Sequence, residues 1–452
     1  MADISPFRAL RYNSQKVPLA EVVTQPYDKI SPAMQDQYYA VSPYNFVRII
    51  LGKQYAGDGE GDSVYTRAAE TLRKWQEQGI LVSDPEPGIY LYTQTFAIPG
   101  DPQGTKVERR GFIALGRVQD YDDKVVFRHE QTLSKPKADR LNLLRATEAH
   151  TEQIFMLYSD PAGEIDNALA QDGPPDLEVR DEFGVLHRLW AISDPALIAF
   201  VQKKMADKKL IIADGHHRYE TALNYRKERR NGAKPDATAP YERMMMTFVN
   251  MDSPGLVVLA THRVVFGLEN FSIFEMIARL GQYFDVEDIG PVEDVPAAMQ
   301  RLQAAGKDGT ALLAVTAHGG FLLRSRASDA IRGLNGTSER QRELDVVQLH
   351  KLGLDRTLEM SPDDIREQKH LKYVRDPQEA TQSVKQGANV AFLMNPVRMQ
   401  QVRDIAFAGE VLPQKSTDFY PKLLSGLTIY SLQDAAAYLL EEAGQKASAG
   451  GR

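Results

Sequence analysis

Apolar positions fall at helical spacing in some stretches of the chain and in short unbroken or alternating runs in others, and the two patterns divide it into predicted helices and strands. Ala68, Leu72 and Trp75 share one face of a predicted helix from Tyr65 to Gln78, which Gly79 ends. Ile89 to Ile98 and Gly111 to Val118 read as a strand and its hairpin partner, joined through the turn Asp101-Pro102-Gln103-Gly104. Ile154 to Tyr158, His187 to Ile192, Leu210 to Ala213, Met244 to Asn250 and Leu256 to Val265 read as further strands. Ala138 to Glu148, Pro195 to Asp207 and Gly215 to Arg230 carry the helical period. Residues 1 to about 60 read as short strands and turns, with Pro26-Tyr27-Asp28 and Ser42-Pro43-Tyr44-Asn45 as turn chemistry.

From Phe271 the pattern changes to helices at Ile273 to Tyr283, Val295 to Ala305 and Glu343 to Leu354, with strands at Ala311 to Ala317, Phe321 to Arg326 and Val390 to Met394. The expected class is α/β in the mixed α+β sense. The expected divisions are an N-terminal phosphate-binding and catalytic region over residues 1–268, a smaller C-terminal α/β domain over 269–442 and a disordered tail over 443–452.

Composition narrows the chemistry. Among 452 residues, 43% are hydrophobic and 25% charged, the proportions of an ordinary globular protein. The formal net charge of -7 argues against a broad nucleic-acid surface, so an anion site must be a local basic pocket. Absence of cysteine excludes disulfides, thiolate nucleophiles and iron–sulfur clusters. No run reaches the roughly 18 to 20 apolar residues of a membrane helix, so a cytoplasmic protein with no membrane partner is expected. The sequence leaves the oligomeric state open.

The densest chemistry lies in Asp214-Gly215-His216-His217-Arg218, at the junction of an apolar strand and a helix. The first turn of a helix offers unpaired N–H groups and the positive end of its dipole, which attract anions. Gly215 permits close approach of backbone and ligand, Arg218 suits bidentate contact with phosphate, and His216 or His217 can move a proton near neutral pH. The bland alternative is that Asp214 caps the helix and the histidines lie on its surface. Adjacent histidines on a helix diverge by about 100°, which speaks against a zinc pair.

A second candidate is the stretch 128–145. Arg128, Lys135, Lys137, Arg140 and Arg145 there outnumber Glu130 and Asp139, a local reversal of the protein's acidic balance that suits an anion clamp or a solvated helix face. His129 beside Glu130 offers an acid–base pair. Thr261-His262-Arg263 closes an apolar strand, where α/β enzymes collect their sites. Tyr27 and Asp28 read first as turn residues, with Asp28 also a candidate substrate or magnesium ligand. Gln414, Lys415 and Ser416 belong to a polar loop whose role the residues alone leave open.

In these blocks, Pro26-Tyr27-Asp28, His129-Glu130 with Pro136-Lys137 and Asp139-Arg140-Leu141, Asp214 to Arg218, Thr261-His262-Arg263 and Pro413-Gln414-Lys415-Ser416-Thr417, the chain resembles a bacterial and archaeal family known as domain of unknown function 1015. Lys29, Ala260 and Leu412 depart from that pattern without removing a charged candidate. More distantly, the Asp-Gly-His-His-Arg turn is similar to the phosphate-binding turn of the ParB and sulfiredoxin superfamily, which includes free-serine kinases. That resemblance implies a ParB/sulfiredoxin-like core in the first part of the chain. It implies that Gly215, His217 and Arg218 cradle donor phosphates and that His216, at the place of sulfiredoxin's reactive cysteine, is a base or phosphoryl acceptor. Asp214, Asp28, Glu130, His129 and Glu220 then become candidates to activate a hydroxyl, and Lys135, Lys137, Arg140, His262 and Arg263 to neutralise the transferring group. Tyr27, Asp28, Gln414, Lys415 and Ser416 become substrate contacts.

The expected function is a kinase acting on a small hydroxylated metabolite, L-serine first among them, with ATP, ADP or pyrophosphate as donor and magnesium as helper. A metal-assisted phosphatase or other hydrolase, a ParB-like nucleotide- or DNA-binding regulatory module, and a sensor without turnover are the alternatives.

Overall fold

The structure is a computed structural model that describes residues 2–59, 61–101, 103–130, 134–234, 236, 238–326, 329–334 and 336–438, without the side chains of 134–136, 329 and 330. It is a mixed α+β chain with several sheets. It divides into two compact units, one of Met1–Arg128, Thr132–Leu256 and Pro421–Arg452, the other of His129–Gln131 and Val257–Tyr420.

The division differs from the one expected near residue 268, for a reason visible in the pairing. The stretch from Leu256 to Val265 is two strands, and Val257–Leu259 already pairs with Asp418–Tyr420 of the second unit. The chain then returns to the first unit at Pro421, inside what was expected as the C-terminal domain. There Ser425 bridges to Thr24, Ile429 to Leu10, and Tyr430–Ser431 pairs with Ala149–His150. The tail expected over 443–452 lies outside the described residues.

The first unit is built on nine strands: β1 (Ile4–Ser5), β2 (Ile89–Ala97), β3 (Lys106–Arg117), β4 (Val126–Phe127), β5 (Ile154–Tyr158), β6 (Leu177–Arg180), β7 (Leu186–Ile192), β8 (Leu210–Asp214) and β9 (Arg243–Asn250). Their order is β4-β8-β5-β9-β3-β2-β7-β6, with β1 also paired to β3. The β8/β4 and β9/β5 pairs are parallel and the rest antiparallel. The strand β5, Ile-Phe-Met-Leu-Tyr, is buried at every position, so its unbroken apolar run marks a strand covered on both faces. Tyr219 and Ala222 of the helix His216–Arg230 join Ile154, Met156, Ile212 and Phe248 in one core cluster.

Sequence periodicity failed where burial does not follow it. The first 60 residues hold helices at Leu19–Val22, Pro32–Val41 and Val47–Ile50 rather than mainly strands and turns. Pro32–Val41 buries none of its residues and so has no apolar stripe to read; its signal was the Ser31 cap and the proline at its first position. By contrast Val64–Glu77, capped by Ser63 and Thr66, buries Ala68, Leu72 and Trp75 as its spacing predicts.

The second unit carries a six-stranded antiparallel sheet of β10 (His262–Val265), β11 (Phe284–Gly290), β12 (Ala311–Thr316), β13 (Gly319–Ser325), β14 (Leu371–Val374) and β15 (Val390–Met394), ordered β11-β13-β12-β15-β10-β14. The edge strands β11 and β14 are half-exposed, which is why their pattern was weak in the sequence. Where one helix was expected from Glu343 to Leu354, a short α-helix, Asp345–Gln348, runs into a π-helix, Leu349–Thr357. No helix among the described residues is long and apolar enough to cross a membrane.

Candidate functional site

Strand β8 ends at Asp214, where its register against β5 slips: Ile212 lies opposite Met156 and Asp214 opposite Phe155. Such a bulge re-aims a side chain at a sheet edge. Gly215 follows with φ 93° and ψ 25°, and the 15-residue helix His216–Arg230, here α1, begins directly after it. A Cβ at Gly215 would stand 3.0 Å from Ile154 Cδ1 and 3.1 Å from Arg218 Nη2. Glycine is therefore required both by conformation and by space. The first main-chain bond of the helix runs from Tyr219 N to Gly215 O at 2.9 Å, so residues 216–218 make up its first turn.

Asp214 lies between two cations. Its Oδ1 is 3.7 Å from Lys422 Nζ, and its Oδ2 accepts a hydrogen bond from Arg218 Nη2 at 3.2 Å. Burial alone would raise the acid's pKa, but Lys422, Arg218, Lys29 and His216 together hold it well below the usual carboxylate range. The group is thus ionised throughout the neutral region. Arg218 also donates from Nη1 to the Gln153 carbonyl. Burial would lower its pKa, yet Glu152, Asp214, Asp28 and Tyr27 outweigh burial and hold it up.

Several predicted residues gather behind this turn. Glu152 accepts from Tyr27 N at 3.1 Å and from Ser425 Oγ at 3.2 Å, and lies 3.8 Å from Arg140 Nη1. The Arg140 guanidinium stacks 4.0 Å from the centre of the Tyr27 ring and donates to the Ile50 carbonyl at 2.7 Å. Tyr27, Asp28, Arg140 and the Asp214–Arg218 turn are therefore one neighbourhood, tied through Glu152. Glu220, one turn along α1, pairs with Lys137 at 2.8 Å and with Arg128 at 3.6 Å. The side chain of Lys135 lies outside the described residues.

The remaining predicted residues form a cluster in the second unit. His129 Nε2 is hydrogen-bonded with Thr417 Oγ1 at 2.7 Å, and Glu130 Oε1 accepts from Lys415 N at 2.6 Å. Lys415 holds a left-handed φ of 56°, and Ser416 Oγ donates to Pro413 O at 2.5 Å. Buried Arg263 donates to Thr261 O and, at 3.1 Å, to Lys415 O, with its guanidinium 5.1 Å from the Tyr373 ring. Burial pushes Arg263 down to about 10 against the pull of Tyr373 and Glu130, and pushes His262 down to about 4 with help from Arg263. His262 is neutral, and its Nδ1 accepts from Met394 N at 3.1 Å. Half-buried Gln414 sits in the same loop.

The sequence marks Phe419-Tyr420-Pro421-Lys422 as an unusual loop but leaves its role open, and it gives no role to Glu152, Arg109 or Gln94. Gln94 and Arg109 are buried direct cross-strand partners, and the polar neighbours Thr93, Glu108 and Arg110 in the same strands hid them in the sequence. No group of three or more His, Asp or Glu side chains able to hold a metal ion occurs among the described residues.

A family model described as "Protein of unknown function (DUF1015)" matches residues 4–347. Among solved structures the chain is similar to a free serine kinase in complex with AMP, at 16% identity over 66% of this chain and 84% of that one, with a TM-score of 0.34. It is similar to a conserved hypothetical protein from Pyrococcus furiosus at 15% identity over 69% and 94%, TM-score 0.33. It is also similar to SbnI with a C-terminal truncation from Staphylococcus aureus at 10% identity over 74% and 96%, TM-score 0.36. No curated protein matches it in sequence.

Proposed function

We propose that this chain, which belongs to the DUF1015 family of proteins of unknown function, is a phosphotransferase that moves a phosphoryl group from a nucleotide or pyrophosphate to a hydroxyl of a small metabolite, with L-serine the first acceptor to test. The observation that carries the reading is the turn itself: an ionised Asp214 between Lys422 and Arg218 at the N-terminus of a 15-residue helix. Phosphoryl transfer asks mainly for positioning and for positive charge around the transferring group. In this reading the N-terminal turn of the helix faces donor phosphate oxygens. His216 accepts a hydrogen bond from the acceptor hydroxyl and takes its proton, and ionised Asp214 steadies the imidazolium that results. The hydroxyl oxygen then bonds to phosphorus as the bond from phosphorus to the donor's bridging oxygen breaks. Arg218, bonded to Gln153 and Asp214, braces the turn.

Phosphorus NMR of the full chain with magnesium, L-serine and, in separate tubes, ATP, ADP or pyrophosphate tests this. A phosphomonoester that forms only when serine is present is the expected result, and Asp214→Asn should slow it by about 100-fold or more. Phosphate release that needs no acceptor would place the protein among hydrolases, and an unconsumed donor would overturn the reading.

A further inference from the structure

The segment Pro421–Ser425 is not a strand or helix, yet buried groups hold its main chain at almost every residue. Arg109 Nη2 donates to Pro421 O at 2.6 Å and Gln94 Nε2 to Lys422 O at 2.8 Å. Leu424 N donates to Tyr92 Oη at 3.4 Å, and Ser425 exchanges main-chain bonds with Thr24 at 2.9 and 3.1 Å. The donors and acceptors behind these contacts are themselves fixed. Arg109 Nε donates to Gln94 Oε1 at 3.0 Å, Tyr92 Oη is bonded with His187 Nδ1 at 2.7 Å, and His187 Nε2 is 3.2 Å from Asp181 Oδ2. His187, Gln94 and Arg109 are register partners across β7, β2 and β3, so they form one buried polar row through the sheet.

Buried polar groups cost free energy unless every one is bonded, and an apolar row of the same shape would hold the sheet together equally well. What this row adds is the placement of one loop, and the loop presents one charged side chain. Lys422 is only 8% exposed, an uncommon setting for lysine, and its Nζ stands 3.7 Å from Asp214 Oδ1. That separation is an ion pair without a direct hydrogen bond.

We infer that Lys422 is a ligand-contacting cation of the Asp214 site, that it takes a phosphoryl group of the donor, and that Arg109, Gln94 and the Tyr92–His187–Asp181 chain are positioning residues that fix it. This rests on the phosphotransferase reading and deepens it by naming the cation.

The test is titration of the full-length protein with pyrophosphate, followed by calorimetry and by phosphorus NMR, for wild type, Lys422→Met, Lys422→Arg and Gln94→Met. Lys422→Met is expected to weaken pyrophosphate by about tenfold or more at a temperature where circular dichroism shows it folded, with Lys422→Arg recovering part of the loss. Gln94→Met, remote from any ligand, should weaken it by a smaller factor. Carbon-13 NMR should show Asp214 titrating at higher pH in Lys422→Met, a change that a packing role for the lysine would not produce. If wild type binds pyrophosphate and Lys422→Met binds it equally, the inference falls and the reading stands. If wild type binds none and turns over no donor, both fall. Should Lys422→Met fail to fold, wild-type affinity in both Lys422→Arg and Gln94→Met overturns the inference.

Discussion

At the scale of single residues, Gly215 is the position the turn can least change. Its φ of 93° lies outside the range that side chains tolerate, and a methyl group there would press on Ile154 and Arg218. Gly215→Ala should cost about 1–3 kcal/mol, read from urea unfolding, and should weaken anion binding beyond that loss because the helix start moves. Full stability in this variant would mean that the turn is not built as described. The motif Asp214–Arg218 was legible because strand end, glycine and helix start are adjacent in sequence. Lys422 and Glu152 were not, since what makes them part of the site is chain return: Gln94 reaches the Lys422 carbonyl across 328 positions. The fully buried cation Arg109 stands between Glu108 and Arg110, so neither its burial nor what it holds could be read from the sequence.

At the scale of elements, two short pieces carry opposite pH dependence. His150 lies in the two-residue strand Ala149–His150, stacked 6.0 Å from Tyr430, and burial lowers its pKa to about 4. Its folded value is below the unfolded value near 6.5, so the stability it contributes is present above about pH 6.5 and is lost as pH falls towards 4, roughly 3 kcal/mol in all. In His150→Phe the fall in unfolding free energy between pH 6.5 and 4 should be shallower; an unchanged slope would show that the imidazole titrates normally. Asp345 heads the helix Asp345–Gln348, and burial raises its pKa to about 6 against the help of Thr310, Asn395 and Arg398. A raised acid stabilises below the unfolded value near 4 and loses that contribution as pH rises through about 6. Asp345→Asn should therefore gain on wild type by about 1–3 kcal/mol between pH 4 and 8 in urea titrations, and a pH-independent difference would refute the shift. Elements with a buried stripe, such as Val64–Glu77, were legible in the sequence; Pro32–Val41, all of whose contacts leave its residues at least partly exposed, was not.

At the scale of the molecule, each unit has its own apolar core, with Ile154, Met156 and Phe248 in the first and Leu302, Leu313 and Leu393 in the second. Scanning calorimetry should accordingly resolve two transitions, with a calorimetric enthalpy above the van't Hoff value; one transition with equal enthalpies would mean that the two cores melt together. The mixed α+β class was readable from the alternation of strands and helices, but the return at Pro421 was not, because pattern along a chain does not state which strands meet. That return sets an order of assembly. A ribosome releases the Asp214 turn before Lys422, with the whole of Val257–Tyr420 between them. A nascent chain halted anywhere in that stretch carries a helix start, a carboxylate and an arginine brace without the lysine, and the bonding groups of Arg109, Gln94 and Tyr92 wait with no loop to hold. The first unit is begun before the second and finished after it, so termination anywhere within Val257–Tyr420 leaves the Asp214 turn without its lysine.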